Sequence, residues 1–363
     1  MTGTPHLVQL VPDAAGGIRD YAESIQRVWS RSGVDCRILA LAKRDVVAAP
    51  LWTYLEQVTP QASDMRPRDQ TVLIVHFSGY GYEPRGLCGW LNTALAAARA
   101  HLGPRLRIVV MFHELFASGP PWRSAFWLGG HQARIAAKLA ALSDVNLTNT
   151  QGHAHWLEQQ LGPQRRVAVW PVFSNVGELE ALPAFAMRRR RLVVFGAEST
   201  RKRALQELQR HTPQLGQLGI DEVIEVGAGQ AIGARAGALP AHFAGRLDQV
   251  ALSELLSQSA FGLIEYPTQY MGKSTVFAAY AAHGCVALNA HSSNPSADGL
   301  TPGRHFLELD PRRRGVPSDG HLHHMALDAK AWYDRHTLPL LSAALARACG
   351  VNPNATDAPH RQD

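Results

Sequence analysis

The chain alternates strand-like apolar runs with helix-like segments, loses the alternation once, and then starts it again. HLVQLVP (His6–Pro12) leads through DAAGG into the helical IRDYAESIQRVWSRSG. VDCRILAL, TVLIVHFSG (Thr71–Gly79) and RIVVMFHEL (Arg107–Leu115) follow as strands. FWLGGHQARIAAKLAALS reads as a long helix, DVNLTNT as a short strand before a helix near His153–Leu161, and RRVAVWPVF closes this half. SNVGELEALPAFAMRRR then carries helix-breaking interruptions and little periodicity. Beyond it come RLVVFGA, STRKRALQELQRH, DEVIEVGAG, PAHFAGRL, DQVALSELLSQS, AFGLIEY, STVFAAYAAHG and CVALNA. Strands joined through helices pair in parallel and need helices on both faces. The expectation is therefore an α/β chain of two Rossmann-like domains, residues 1–175 and 191–325, with a linker at 176–190. Late amphipathic helices would fill 326–350, and VNPNATDAPHRQD (351–363) reads as a disordered tail. A length of 363 residues gives each domain room for its own core. Ligands of such sheets bind beyond the carboxyl ends of the strands, which in a two-domain chain would face a central cleft.

The motif that first suggests chemistry is Gly272-Lys273-Ser274-Thr275, which looks like the end of a phosphate-binding P-loop. The first glycine of that loop would fall at Pro267, which has neither the N–H nor the φ freedom required. No magnesium-binding Asp follows an apolar run in the expected place, so an NTPase is disfavoured. The local physics survives. AFGLIEY is a buried strand, and the segment from Ser274 onward is a helix. Lys273 before that helix, with Ser274 and Thr275 at its start, forms an anion site.

Composition narrows the partners. The formal charge of +6 comes mostly from arginine, most densely at Arg188–Arg191. That run fits a solvated lead into a strand, a phosphate-rich ligand or an anionic membrane surface. Basic residues are not interleaved with aromatics on one segment, which argues against nucleic acid. His321, His323 and His324 cluster without a carboxylate or cysteine at ligand spacing, so they read as surface and no metal is expected. The cysteines (Cys36, Cys88, Cys285, Cys349) are scattered, and no secretory leader or membrane-length apolar run stands out. The plain expectation is a reduced, cytoplasmic chain.

Four strand-end loops hold the right atoms. In PDAAGGIRDY, Gly16-Gly17 lets backbone approach a ligand, unless it is a plain tight turn. HFSGYGYEPRG offers His76, Tyr80 and Tyr82 to a sugar acceptor, or is a structural Ω-loop. In FHELFASGPPW, His113 and Glu114 follow a strand, where a histidine is either functional or a hydrogen-bonded core residue. In GAESTRKRAL, Arg201, Lys202 and Arg203 are expected to open a helix. Cations there oppose the helix dipole unless an anion sits between them, which favours a diphosphate held mainly by Arg201 and Lys202.

Taken together these features resemble the GT-B glycosyltransferases, in the group that includes glycogen synthases and the retaining enzymes of family 4. Gly16-Gly17 stands where that group has its Gly-Gly loop, and Lys202 lies six residues after Gly196, as its lysine does. Ala282-His283-Gly284-Cys285-Val286-Ala287 matches the late A-x-G-x-P-V turn, with Val286 in place of the proline. The group's two glutamates fall on Met271 and Ala279, and the arginine of its second-domain loop on Ala197. The resemblance implies transfer of a sugar from a nucleotide-diphosphate sugar to a glycan or lipid-linked acceptor, as in polysaccharide biosynthesis. It implies retention of configuration, no cofactor and no bound metal, and a C-terminal helix crossing back to the first domain. Arg201, Lys202, Lys273, Ser274, Thr275, Gly16 and Gly17 would hold the diphosphate. Arg246, Leu247 and Glu265 would hold the nucleoside. His113 would position the sugar; were the enzyme inverting, His113, Glu114 or Asp13 would be its base. The missing glutamates leave two alternatives, a GT-B protein that binds a nucleotide sugar without transfer, or a nucleotide-sugar epimerase. The basic surface fits an enzyme visiting the inner membrane face.

Overall fold

The computed structural model describes residues 5–14, 16–59, 70–117, 122, 124–233, 235–236, 239–291, 295–312 and 315–351. The chain forms two compact units, Met1–Trp170 with Leu338–Asp363, and Pro171–Thr337. The proposed tail at 351–363 lies almost wholly outside the described residues.

The first unit runs β1 (His6–Pro12), α1 (Gly17–Arg31), β2 (Cys36–Leu41), α2 (Lys43–Ala48), α3 (Leu51–Val58), β3 (Thr71–Phe77), α4 (Gly79–Tyr82) and α5 (Gly89–Leu102). It continues with β4 (Leu106–Phe112), α6 (Ser124–Leu142), β5 (Val145–Thr148), α7 (Gln151–Leu161) and β6 (Ala168–Val169). Its strands pair in parallel in the order β2-β1-β3-β4-β5-β6. β3 is buried at every residue because helices cover both faces of the sheet, which is why its sequence is almost continuously apolar. Leu91 and Leu95 of α5 and Leu139 of α6 pack with Leu73, Val75, Ile108 and Val110 in one core.

The second unit holds β7 (Arg189–Phe195), α8 (Glu198–Leu208), α9 (Thr212–Gln217), β8 (Glu222–Val226), β9 (Arg235–Ala236), β10 (Leu239–Phe243) and α10 (Gln249–Ser257). It ends with β11 (Ser259–Ile264), α11 (Thr275–His283), β12 (Val286–Asn289), β13 (Leu307–Glu308) and α12 (Asp319–Tyr333), before α13 (Leu338–Ala348). The strand order is β13-β12-β11-β7-β8-β10-β9, parallel except for the short β9. α11 packs its Tyr280 ring where a side chain on Gly262 of β11 would stand, and the Tyr280 hydroxyl is shared between the carbonyls of Val193 and Leu263. Gly284 ends α11 in the left-handed conformation (φ 68°), where a Cβ would press on Leu182 and on the guanidinium of Arg188. The late glycine motif is thus a helix cap.

The boundaries differ from the expected ones. Residues 176–190 belong to the second unit: Phe185 lies in its core, and Tyr333 accepts from the amide of Ser174 and donates to Glu178. α12 stays with that unit, and α13 alone returns to the first, where Trp29 of α1 donates to the carbonyl of Ser342 (2.9 Å).

The arginine run also needs correcting. Arg188 is buried and donates to the carbonyls of Ser259 and His283, and Arg191 is buried against the Ser259 hydroxyl and the Leu255 carbonyl. Arg190 donates to Leu218 and pairs with Asp319. Three of the four arginines therefore satisfy strand and helix ends, so the run is neither a solvated stripe nor a surface for phosphate or membrane. Among the described residues no helix is long and apolar enough to cross a membrane, and no group of three or more metal-ligating side chains gathers. The four cysteines are free and buried.

Candidate functional site

In the first unit the polar atoms at the strand ends form a chain leading inward. Gln9 of β1 donates its amide N–H to the carbonyl of Ala22 (3.1 Å), which turns its oxygen toward His76. His76 Nε2 lies 2.9 Å from that oxygen, and its Nδ1 lies 3.1 Å from His113 Nε2. Burial, and secondarily the neighbouring His113, push the His76 pKa well below the ordinary imidazole range, so the ring is neutral. Its Nε2–H must then donate to Gln9, its Nδ1 must accept, and His113 Nε2–H is the donor. That bond fixes the orientation of the His113 ring. Tyr21 of α1 sets its ring edge against both imidazoles (5.6 and 4.8 Å). The loop at Gly16-Gly17 thus starts a helix that shapes the histidine pair. Both glycines are exposed, and a Cβ on either would meet nothing within 4 Å.

This geometry reassigns two expected acceptor contacts. His76 is fully buried and supports His113. Tyr82 is buried as well, donating to the carbonyls of Leu10 and His76. Tyr80 stays 44% exposed, its hydroxyl accepting from Gln132. Glu114 is exposed and accepts from Ser78 (3.0 Å), and Asp13 pairs with Arg44.

In the second unit, the ends of β7 and β11 and the start of α11 enclose a cavity of about 190 Å³. Thr200, Glu265, Tyr266, Lys273, Ser274 and Thr275 line it. Whole-ligand pockets usually measure about 300–1,000 Å³, so this one suits a diphosphate-sized part of a ligand. Ser274 caps α11 by accepting from the amide of Phe277 (3.2 Å). The amides of Thr275 and Val276, at the first turn, have no acceptor within the helix. Lys273 sits with its ammonium 5.0 Å from the Tyr270 ring centre. Glu265 accepts from His291 Nδ1 (2.8 Å) and pairs with Arg203. Asn289, fully buried at the end of β12, locks the strand end by bonding both backbone groups of Tyr266.

Within the cationic trio on α8, Arg201 takes a different part from the one expected. The helix starts at Glu198, whose carboxylate already complements the dipole, so no anion is required on that ground. Arg201 is fully buried, pairs with Glu225 (2.8 Å), and donates to the carbonyls of Gly196, Ala228 and Gln230. It is a scaffold residue and no ligand contact. At 3.6 residues per turn, Lys202 lies about 200° round the helix from Thr200, whereas Arg203 lies about 60° away. Arg203, which sequence reasoning passed over, is the member that reaches the cavity through Glu265. His291, Asn289 and Thr200 were missed too. Arg246 is exposed and Leu247 half-buried in the loop after β10, and neither lines the cavity.

Two doubly wound parallel sheets, with the last helix returned to the first unit, define a GT-B fold, the architecture of one large class of glycosyltransferases. Solved structures similar to this chain belong to that class. Alr3699/HepE from Anabaena, solved with UDP and glucose, matches 95% of this chain and 99% of its own at TM-score 0.60 and 12% identity. An α,α-trehalose 6-phosphate synthase from Burkholderia multivorans matches 96% and 97% at TM-score 0.59 and 13% identity. An α-glucosyltransferase solved with UDP and a 13-mer DNA matches 96% and 99% at TM-score 0.56 and 11% identity. No family model matches the sequence, and neither does any curated protein sequence. At such identities the likeness is one of fold.

Proposed function

We propose that this protein is a glycosyltransferase that moves a sugar from a nucleotide-diphosphate sugar to a glycan or lipid-linked acceptor, with retention and without a bound metal. The observation that carries the reading is the cavity at the start of α11, with Lys273, helix amides and the Arg203–Glu265 pair around a space of diphosphate size. In the reaction, the bond between the anomeric carbon and the diphosphate oxygen breaks and the electron pair leaves with the diphosphate. The acceptor oxygen bonds to that carbon and releases its proton. Lys273 and the amides of Thr275 and Val276 would meet the charge that develops on the leaving oxygen. Glu265 would accept hydroxyl hydrogen bonds from the nucleoside, replacing the carboxylates that Met271 and Ala279 cannot supply. His113, held by His76, would orient the sugar or take the acceptor proton.

A nucleotide chosen from the similar structures, UDP, and its glucose conjugate are suitable first probes in a thermal-shift screen of nucleotide diphosphates. A ligand that binds only the native state raises the melting temperature, by RT ln(1 + [L]/Kd) in stability. A rise with at least one nucleotide diphosphate supports the reading, and no rise with any of them refutes it. Binding without release of free diphosphate in the presence of any acceptor would favour the non-transferring alternative, and a new sugar isomer formed from donor alone would favour the epimerase.

A further inference from the structure

We infer that α5 and α6 of the first unit form a docking face for an anionic phospholipid bilayer. Across 14 and 19 residues respectively, neither helix contains a single Asp or Glu. Between them runs a groove of about 830 Å³, much larger than the cavity beside α11. α5 lines it with the small residues Gly89, Thr93 and Ala96 beside Asn92, which leaves open space beside α6. Asn92 of α5 bridges its floor by donating to the carbonyl of Ile135 (2.9 Å).

α6 supplies the other wall in two stripes. Leu128, Ile135 and Leu142, seven residues apart, face the groove half-buried. Trp127, His131, Arg134 and Lys138 follow the neighbouring stripe at i, i+4, i+7 and i+11, all exposed. Trp127 is 69% exposed, and Phe126 packs edge-on against its ring while itself 49% exposed. Trp122, just before the helix, is 83% exposed. Apolar groove, exposed aromatic rings and a carboxylate-free cationic rim together match the layers of a membrane interface. Aromatic rings settle at headgroup depth, cations meet anionic lipid, and an acyl chain or its methylenes occupy the groove. A nucleic acid would use the cations but not the groove or the Trp127–Phe126 pair. The inference rests on this face alone and stands apart from the transfer reaction.

The test is co-sedimentation of the full chain with vesicles of phosphatidylglycerol and phosphatidylcholine, against phosphatidylcholine alone and a 20-base-pair DNA duplex. Binding to the anionic vesicles is expected, falling as salt rises through the physiological range. R134E/K138E should weaken it at least tenfold, and R134Q/K138Q less. W127S should weaken it severalfold while leaving the salt dependence in place. These side chains are exposed, and matching circular-dichroism melts confirm that the variants fold. Failure of the native chain to bind anionic vesicles overturns the inference. So does equal binding by R134E/K138E, or binding to the duplex in preference to the vesicles.

Discussion

The strand ends of the two units solve opposite problems with similar residues. In the first unit the polar groups turn inward: Gln9 and His76 are fully buried, and their bonds serve to define one half-exposed imidazole, His113. In the second, the charged groups beside the cavity (Lys273, Glu265, Arg203, His291) all retain solvent exposure, and the fully buried pair, Arg201–Glu225, lies behind them. The difference separates a site that needs one oriented proton carrier from one that needs flexible charge. It also separates scaffold from site: Arg201, fully buried with four of its hydrogen bonds spent inside the fold, holds the unit together and is not placed to meet a ligand.

Arg201→Met should break the second unit most severely. It leaves the Glu225 carboxylate buried beside an apolar chain, and loss of one partner of a buried pair costs about 3–5 kcal/mol. Chemical denaturation should show the loss, while a contribution near zero would return Arg201 to the list of ligand contacts.

Acid should act next. Burial, with Arg335 adding to it, lowers the His336 pKa to about 3. The unfolded chain then binds a proton near pH 6.5 that the native chain refuses until about pH 3. Stability is therefore full above pH 6.5 and falls as pH drops through that window, by about 1.4 kcal/mol per unit, or about 2 kcal/mol by pH 5. His283 and His211, also shifted down mainly by burial, add in the same direction. Denaturant midpoints at pH 7 and pH 5 measure it, and His336→Phe should flatten the slope.

Ser274→Ala removes the α11 cap and should cost about 1 kcal/mol of stability, read as a small drop in melting temperature.

Much of this frame could be read from the residues alone. Covered parallel strands must be apolar throughout, so β1, β3, β4 and β11 announce themselves, and Ser274 was legible as a cap because local chemistry decides it. What failed was anything set by tertiary burial. Tyr82 of α4 and His76 at the end of β3 belong to a Gly- and Tyr-rich stretch that looks solvent-facing, yet Tyr21 of α1 packs on His76 and the Tyr82 hydroxyl turns inward to the carbonyls of Leu10 and His76. Arg188 and Arg191 look like surface charge, yet they satisfy carbonyls at Ser259, Leu255 and His283. On α8 the residue order favoured Lys202 and Arg201, because the burial of Arg201 and the pairing of Arg203 with Glu265 exist only in the folded chain. Gly227 held a clue to Arg201, since a Cβ there would collide with its guanidinium, but only the folded chain brings the two together.

The comparison is tested most directly by titrating UDP calorimetrically into the native protein, Lys273→Ala, Arg203→Ala and Lys202→Ala. The account expects Lys273→Ala to lose at least tenfold in affinity, Arg203→Ala to lose less, and Lys202→Ala to bind as the native chain does. Undiminished binding by Lys273→Ala, or a loss confined to Lys202→Ala, would contradict the placement of the diphosphate at the start of α11.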